Sequence, residues 1–220
     1  MERIIICVGR QLGSGGRIIA KSLAEAFDCK LYDKELLNLA AKESGFSEKF
    51  FEQNDEQKGF LKSLFHMHAP HISDTNFYKS NFSQESLFQF QSDAIRKAAE
   101  EGSCVFVGRC ADYVLRDKQN IVNIFITADY NERVKAVMDR HECDEDTAKK
   151  FLYNKESARA SYYNYYTGKK WGNAESYDLC VNTSLLGLSR TEDLLKKYIR
   201  QRFNVTQSED SSKADGLEKR

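Results

Sequence analysis

Ile4-Ile5-Ile6-Cys7-Val8-Gly9-Arg10-Gln11-Leu12-Gly13-Ser14-Gly15-Gly16-Arg17 is the stretch that decides how this chain folds. The first five residues form an unbroken apolar run, the pattern of a strand buried on both faces. Four glycines follow within nine residues, and Ile18 to Phe27 then repeats apolar side chains at helical spacing. In the order strand, glycine turn, helix, such a stretch makes a phosphate cradle. Glycine lets the backbone turn sharply against an anion, and the helix start supplies unpaired amides and the positive end of a dipole. A tight turn without a ligand uses the same residues, so the stretch alone leaves both readings open. It also departs from the common Gly-Lys-Ser/Thr ending, in which lysine meets the phosphates and the hydroxyl meets magnesium: here Gly15-Gly16-Arg17-Ile18 stands in its place.

The 220 residues suit one domain carrying an insert or lid. Lysine plus arginine equals aspartate plus glutamate, 33 each, so no overall basic excess points to nucleic acid or an anionic membrane. Recognition of anions must then be local. Six cysteines lie scattered without a CxxC pair, and those in expected strands, Cys7, Cys104 and Cys180, read as small apolar side chains. With no signal peptide and no run of about eighteen apolar residues, the expectation is a cytoplasmic protein with reduced thiols.

Further along, Cys29 to Tyr32 is a short strand candidate, and Asp33 is placed to cap a helix through Leu36, Leu37, Leu39 and Ala40. This is the opening of a parallel α/β sheet. From about 44 to 83 the pattern loosens around Pro70, as expected of an insert of short helices and loop. His66, His68 and His71 lie there, either ordinary loop histidines or a metal site. Gln84 to Glu101 reads as a helix and Cys104 to Val107 as a strand, with Gly108-Arg109-Cys110-Ala111-Asp112 opening at its carboxyl end, where ligands bind in open α/β sheets. Arg109 with Asp112 there is either a phosphate and base contact or a surface ion pair. Ile121 to Ile126 is the next strand, Asp129 begins a helix, and a second helix runs from near Asp144 toward Ala158. Asp178 to Asn182 is the last strand, and Arg190 to Phe203 closes the domain with a helix. The domain spans 1–204; the polar residues 205–220 read as a disordered tail.

Between Lys149 and Trp171 six basic residues face one acid, Glu156, and five tyrosines are interleaved among them. Three readings stay open: a lid (about 144–172) closing on phosphates, a contact for single-stranded nucleic acid, or a solvated helix face whose tyrosines reach the core.

The residues resemble the nucleoside monophosphate kinases, and more narrowly the cytidylate kinase-like family. The likeness rests on Gly13 to Arg17, on Leu31-Tyr32-Asp33-Lys34-Glu35-Leu36 and on Val107 to Tyr113. It continues through Ala158-Arg159-Ala160-Ser161-Tyr162-Tyr163, Lys170-Trp171-Gly172 and Tyr177 to Ser184. It implies a three-layer P-loop fold, a parallel sheet flanked by helices with a helical acceptor-side insert and a lid. It also implies transfer of the terminal phosphoryl group of ATP, with Mg²⁺, to CMP, dCMP or a similar small phosphorylated acceptor. By the resemblance, Gly13, Ser14, Gly15, Gly16 and Arg17 hold the donor phosphates. Arg17 and Arg159 act on the transferring group, and Asp33, Arg109 and Asp112 face the acceptor. Asn182, Thr183 and Ser184 border the donor base. No nucleic acid or membrane partner is implied.

The chain departs from the family pattern at several positions. The P-loop lysine is Gly16, and the hydroxyl-bearing metal ligand is Ile18, leaving Arg17 or Lys21 to reach the phosphates and Ser14 to reach magnesium. Asn38-Leu39 replaces an acceptor-side Tyr-Arg pair, and Cys110 follows Arg109 where aspartate is usual, with Asp112 left to stand in. These changes leave two other readings: a nucleotide-binding sensor without efficient transfer, and a kinase for another small metabolite.

Overall fold

Side chains alternate across a strand, and in the first strand both alternating sets are buried. A computed structural model describes residues 3–34 and 75–205. In it β1 (Ile5–Arg10) carries Ile6 and Val8 toward one core and Ile5 and Cys7 toward another. The first core is closed by Ile19 and Leu23 of α1 (Gly16–Ala26) and by Leu195 and Ile199 of α6 (Thr183–Phe203). The second is closed by Ile95 and Ala98 of α2 (Thr75–Glu101) and by α3 (Ala111–Val114). A sheet covered on both faces makes three layers, and continuous apolar strands are what such a sheet demands.

The other strands are β2 (Lys30–Tyr32), β3 (Cys104–Val107), β4 (Ile121–Thr127) and β5 (Leu179–Asn182). All pair in parallel, in the order β2-β3-β1-β4-β5. Between β4 and β5 the chain forms α4 (Tyr130–His141) and α5 (Glu145–Thr167), which pack together through Val134, Val137, Ala148 and Leu152. Asp144 caps α5, its carboxylate accepting the Thr147 amide at 2.7 Å.

The expected elements recur with shifted ends. β1 runs on through Gly9 and Arg10 because its pairing with β4 continues to Arg10 and Ile126. α2 begins at Thr75 rather than near Gln84, and α5 continues past Ala158 to Thr167. α6 opens at Thr183, with a break at Gly187. The helix expected after Asp33, most of the 44–83 insert with its three histidines, and tail residues 206–220 lie outside the described residues. Among the described residues no helix is long and apolar enough to cross a membrane.

The facing of α6 is testable. Leu195 is fully buried and Leu194 is 43% exposed. Leu195→Ala is expected to cost about 2–5 kcal/mol and Leu194→Ala under about 1 kcal/mol in urea denaturation. Equal losses would mean the helix presents a different face to the sheet.

Candidate active site

Chain order reverses beside β1: β3 lies on one side and β4 on the other, and a crevice opens beyond their carboxyl ends. Gln11 to Gly15 bridges β1 to α1 there. The Gln11 amide donates to Ile126 O at 3.0 Å, fixing the start of the turn on β4. Gly13 and Gly15 then adopt left-handed φ values of 81° and 74°, which side-chain-bearing residues rarely accept. The Gly15 carbonyl takes the Ile18 and Ile19 amides as α1 begins. Among the described residues, the Gly13, Ser14, Gly15 and Gly16 amides find no backbone acceptor. Unpaired amides wrapped around a helix start form an anion site.

Beyond this turn stand four arginines. The Arg10 stem lies against Gly16, where a Cβ would come within 2.6 Å of Arg10 Cβ, and its Nη1 sits over Gly108, where a Cβ would collide with it. Arg159 of α5 donates from Nη1 to the Arg10 carbonyl at 3.3 Å, and Arg109 lies 5.3 Å from the centroid of the Tyr162 ring. Burial, reinforced by the positive charges of Arg159, Arg109 and Arg17 and partly offset by Asp33, pushes the Arg10 pKa down to about 9, so it remains cationic at neutral pH. Burial also lowers Arg159, against the pull of Glu156. Arg10, Arg109 and Arg159 form no ion pair with a carboxylate among the described residues.

Arg17 behaves differently. Its side chain is 70% exposed and reaches Asp33, at the end of β2, across 2.7 Å; the Asp33 side chain is 14% exposed. Arg17 thus spans two edges of the crevice rather than lying along the glycine turn.

Gly108, Arg109 and Cys110 have successive φ values of 74°, 59° and 57°, all left-handed. For the two residues with side chains this costs on the order of 1–2 kcal/mol each, and the strained corner is what turns Arg109 over the crevice. Asp112, in the following turn, is buried and accepts the Tyr163 hydroxyl at 2.6 Å. Burial raises its pKa, against the hydrogen bond from Tyr163. The Asp112 carboxylate therefore ties the β3–α3 corner to α5.

Helix α5 is fastened to the glycine turn by the one acid in its basic strip. Glu156 Oε1 accepts the Leu12 amide at 3.0 Å and Arg133 Nη1 at 2.7 Å, while Arg133 Nε donates to Ala128 O at 3.0 Å. The tyrosines join α5 to α2: Tyr166 stacks on Phe88 with centroids 4.0 Å apart, and Tyr162 donates to Gln91 Oε1 at 3.1 Å. Lys149 pairs with Glu145 on its own helix. Much of the aromatic part of the strip is thus packing, and Arg159 is the cation it turns toward the cradle.

The single Thr183 hydroxyl proton is shared between Ser14 O and Thr127 O, each 3.1 Å from Oγ1. Asn182 accepts the Ser184 amide and donates to Asp129. The Ser184 hydroxyl donates to Glu132 and accepts the Asp129 amide. These side chains buttress the turn from the β4–β5 side. The Ser14 hydroxyl, with the residue only 2% exposed, donates to Gln11 O at 2.9 Å. It braces the loop from within. Arg10 is the residue that reading passed over. Its signal was its parity: two positions beyond Val8, it continues the strand face that carries Ile4, Ile6 and Val8.

Residues 5–185 match the model of the cytidylate kinase-like family. The chain belongs to that family. A solved structure of an uncharacterized protein from Eubacterium ventriosum is similar to this cytidylate kinase-like chain at 32% identity and a TM-score of 0.70, covering 91% of this chain and 100% of the other. TT1252 from Thermus thermophilus shares the fold at 15% identity and a TM-score of 0.57, over 94% and 100% of the two chains. No curated protein matches. Membership in a kinase-like family supports a phosphotransferase that binds nucleotide.

The Glu156 fastening predicts an asymmetric pair of variants. Glu156→Ala leaves Arg133, whose side chain is 8% exposed, without its carboxylate and is expected to cost about 3–5 kcal/mol in chemical denaturation. Glu156→Gln keeps an acceptor for Leu12 and should cost less. Equal costs would show that the carboxylate's charge, and not its hydrogen bonds to Leu12 and Arg133, carries the fastening.

Proposed function

We propose that the protein is an ATP-dependent phosphotransferase of the nucleoside monophosphate kinase type, with CMP or dCMP as the first acceptor to test. The observation that carries this reading is the convergence of Arg10, Arg109 and Arg159, without carboxylate partners among the described residues, on a turn of unpaired amides. So much unneutralised charge beside one anion cradle suits a ligand pair bearing several phosphates.

In this reading the Gly13 to Arg17 amides hold the donor phosphates, and the donor base lies toward Asn182, Thr183 and Ser184. An acceptor phosphate oxygen forms a bond to the γ-phosphorus as the bond from that phosphorus to the β-bridging oxygen breaks, leaving ADP and a diphosphate. The attacking oxygen carries no proton at neutral pH, so no general base is required. Alignment and charge neutralisation are the work of the protein. Arg159 and Arg17 serve the transferring group, Arg17 exchanging Asp33 for phosphate. Arg109 binds the acceptor, and Asp112 acts through the corner that carries Arg109.

Magnesium fits as an ion carried largely by the nucleotide. No group of three or more metal-ligating side chains occurs among the described residues, and Mg²⁺ commonly takes one or two carboxylates besides phosphates and water. Asp33, the carboxylate whose charge reaches Arg10, would hold it. When bound, the ion would offset negative charge on the β- and γ-oxygens.

A second reading, a nucleotide sensor without efficient transfer, is favoured by Gly16 in the lysine position. Purified protein with ATP, Mg²⁺ and a panel of CMP, dCMP, UMP, AMP and GMP separates the two. Diphosphate formed with one acceptor above the rest is the expected result. A rise in melting temperature with ATP but no turnover on any acceptor would favour the sensor. Arg109→Ala should raise the acceptor KM by about tenfold or more while changing the ATP KM little; equal increases would make Arg109 a residue of the fold rather than of the acceptor site.

A further inference from the structure

The common phosphate loop places a lysine one residue after its last glycine, at the first turn of the helix. In this chain that position is Gly16, and the surroundings explain why no side chain grows from it. A Cβ at Gly16 would lie 2.6 Å from Arg10 Cβ and 3.0 Å from Arg10 Cγ, inside the stem of an arginine arriving from β1. The same side chain runs on until Nη1 crosses the face of Gly108, where a Cβ would again collide. Two glycines, one opening α1 and one following β3, thus leave room around one arginine.

The backbone under Arg10 is equally fixed. It is the last residue of β1, in register with Ile126 of β4, and its carbonyl accepts Arg159 Nη1. Arginine is always charged in this range and presents a planar fork of donors suited to phosphate oxygens. Arg10 makes no ion pair among the described residues, so its donors are uncommitted to a carboxylate.

The rival cations are placed elsewhere. Arg17 is drawn to Asp33, and Lys21 lies one turn further along α1 with its Nζ 3.7 Å from Glu25 and its side chain 72% exposed.

We propose that Arg10 is the polyphosphate-binding cation of this cradle, entering from the end of β1 through the volume that the lysine side chain of the common phosphate loop would take at position 16. The inference rests on the phosphotransferase reading for its role in transfer, but its claim about anion binding stands apart and is tested apart. The ligand class is the triphosphate of a nucleotide, and the contact is to phosphate oxygens rather than to base or sugar. Gly16 is clearance for this side chain, and Gly108, which its left-handed φ already requires, leaves room at the guanidinium end.

Tripolyphosphate and MgATP are the probes, titrated calorimetrically into the full-length chain and its variants, with phosphoryl transfer measured alongside. Arg10→Met keeps the stem and removes the charge, and should weaken both ligands by about tenfold or more. Arg10→Lys should retain more affinity than Arg10→Met. Gly16→Lys in the native background should lose binding, because two stems then compete for one volume. In the Arg10→Ala background, where that volume is vacated, Gly16→Lys should recover binding relative to Arg10→Ala alone. Tripolyphosphate and MgATP binding Arg10→Met as tightly as the native protein would overturn the proposal. If tripolyphosphate binding depends on Arg10 while no acceptor is phosphorylated, the cation assignment stands and the transferase reading falls. Transfer that proceeds undiminished in Arg10→Met does the reverse.

Discussion

Like charges held together at one sheet edge are the constraint around which this protein is built. Two unit charges 4 Å apart repel by about 1 kcal/mol in water and about 4 kcal/mol at the effective dielectric of a protein surface. Burial chiefly lowers the Arg10 pKa, and the positive charges of Arg159, Arg109 and Arg17 lower it further. Each arginine therefore needs a mechanical reason to stay. Arg10 is carried by a strand paired on both sides, Arg109 by three consecutive left-handed residues, and Arg159 by a helix that Glu156 fastens to the turn. An anionic ligand would turn this repulsion into attraction, so ligand binding and local stability are coupled at the crevice.

The carboxylates nearby explain how the arrangement survives without ligand. Glu156 neutralises Arg133 and offsets Arg159, while Asp33 holds Arg17 and offsets Arg10. Asp112, though close in sequence to Arg109, is withdrawn to the Tyr163 hydroxyl. The acids brace the rim and leave the middle cationic. Thr183, Asn182 and Ser184 complete the bracing on the far side by fixing Ser14 and the end of β4. A cradle with this many internal supports is preorganised, which lowers what a ligand must spend on ordering it.

Much of this was legible in the sequence, and the parts that were not share a cause. The order of elements, the buried strands and the glycine turn follow from local pattern, because both faces of a parallel sheet are apolar and helices announce their period. Boundaries set by distant partners do not. β1 reaches Arg10 because β4 pairs that far, and the parity of Arg10 with Val8 is the one local sign of it. The polar residues that open α2 read as loop. Asp112 with Arg109 read as either a ligand contact or a surface ion pair; its bond to Tyr163, fifty-one residues later, has no local signal. In the basic strip, the single acid was visible as a count but not as an anchor, since its partners Leu12 and Arg133 lie on other elements.

The glycines of the opening stretch divide on physical grounds, and the division alters what the missing lysine means. Gly13 and Gly15 meet a backbone demand: their φ values are left-handed, and the turn needs them whatever lies nearby. Gly9 and Gly16 meet a spatial one: a Cβ at Gly9 would come within 2.7 Å of Phe125, and at Gly16 within 2.6 Å of Arg10. A glycine needed for its dihedral angle shows that the backbone turns. A glycine needed for clearance shows that another side chain has arrived. Gly16 is of the second kind, so the absence of lysine there is the geometric counterpart of Arg10. The departure from the common phosphate loop is a relocation of positive charge from helix to strand, with both ends of the new path kept open by glycine.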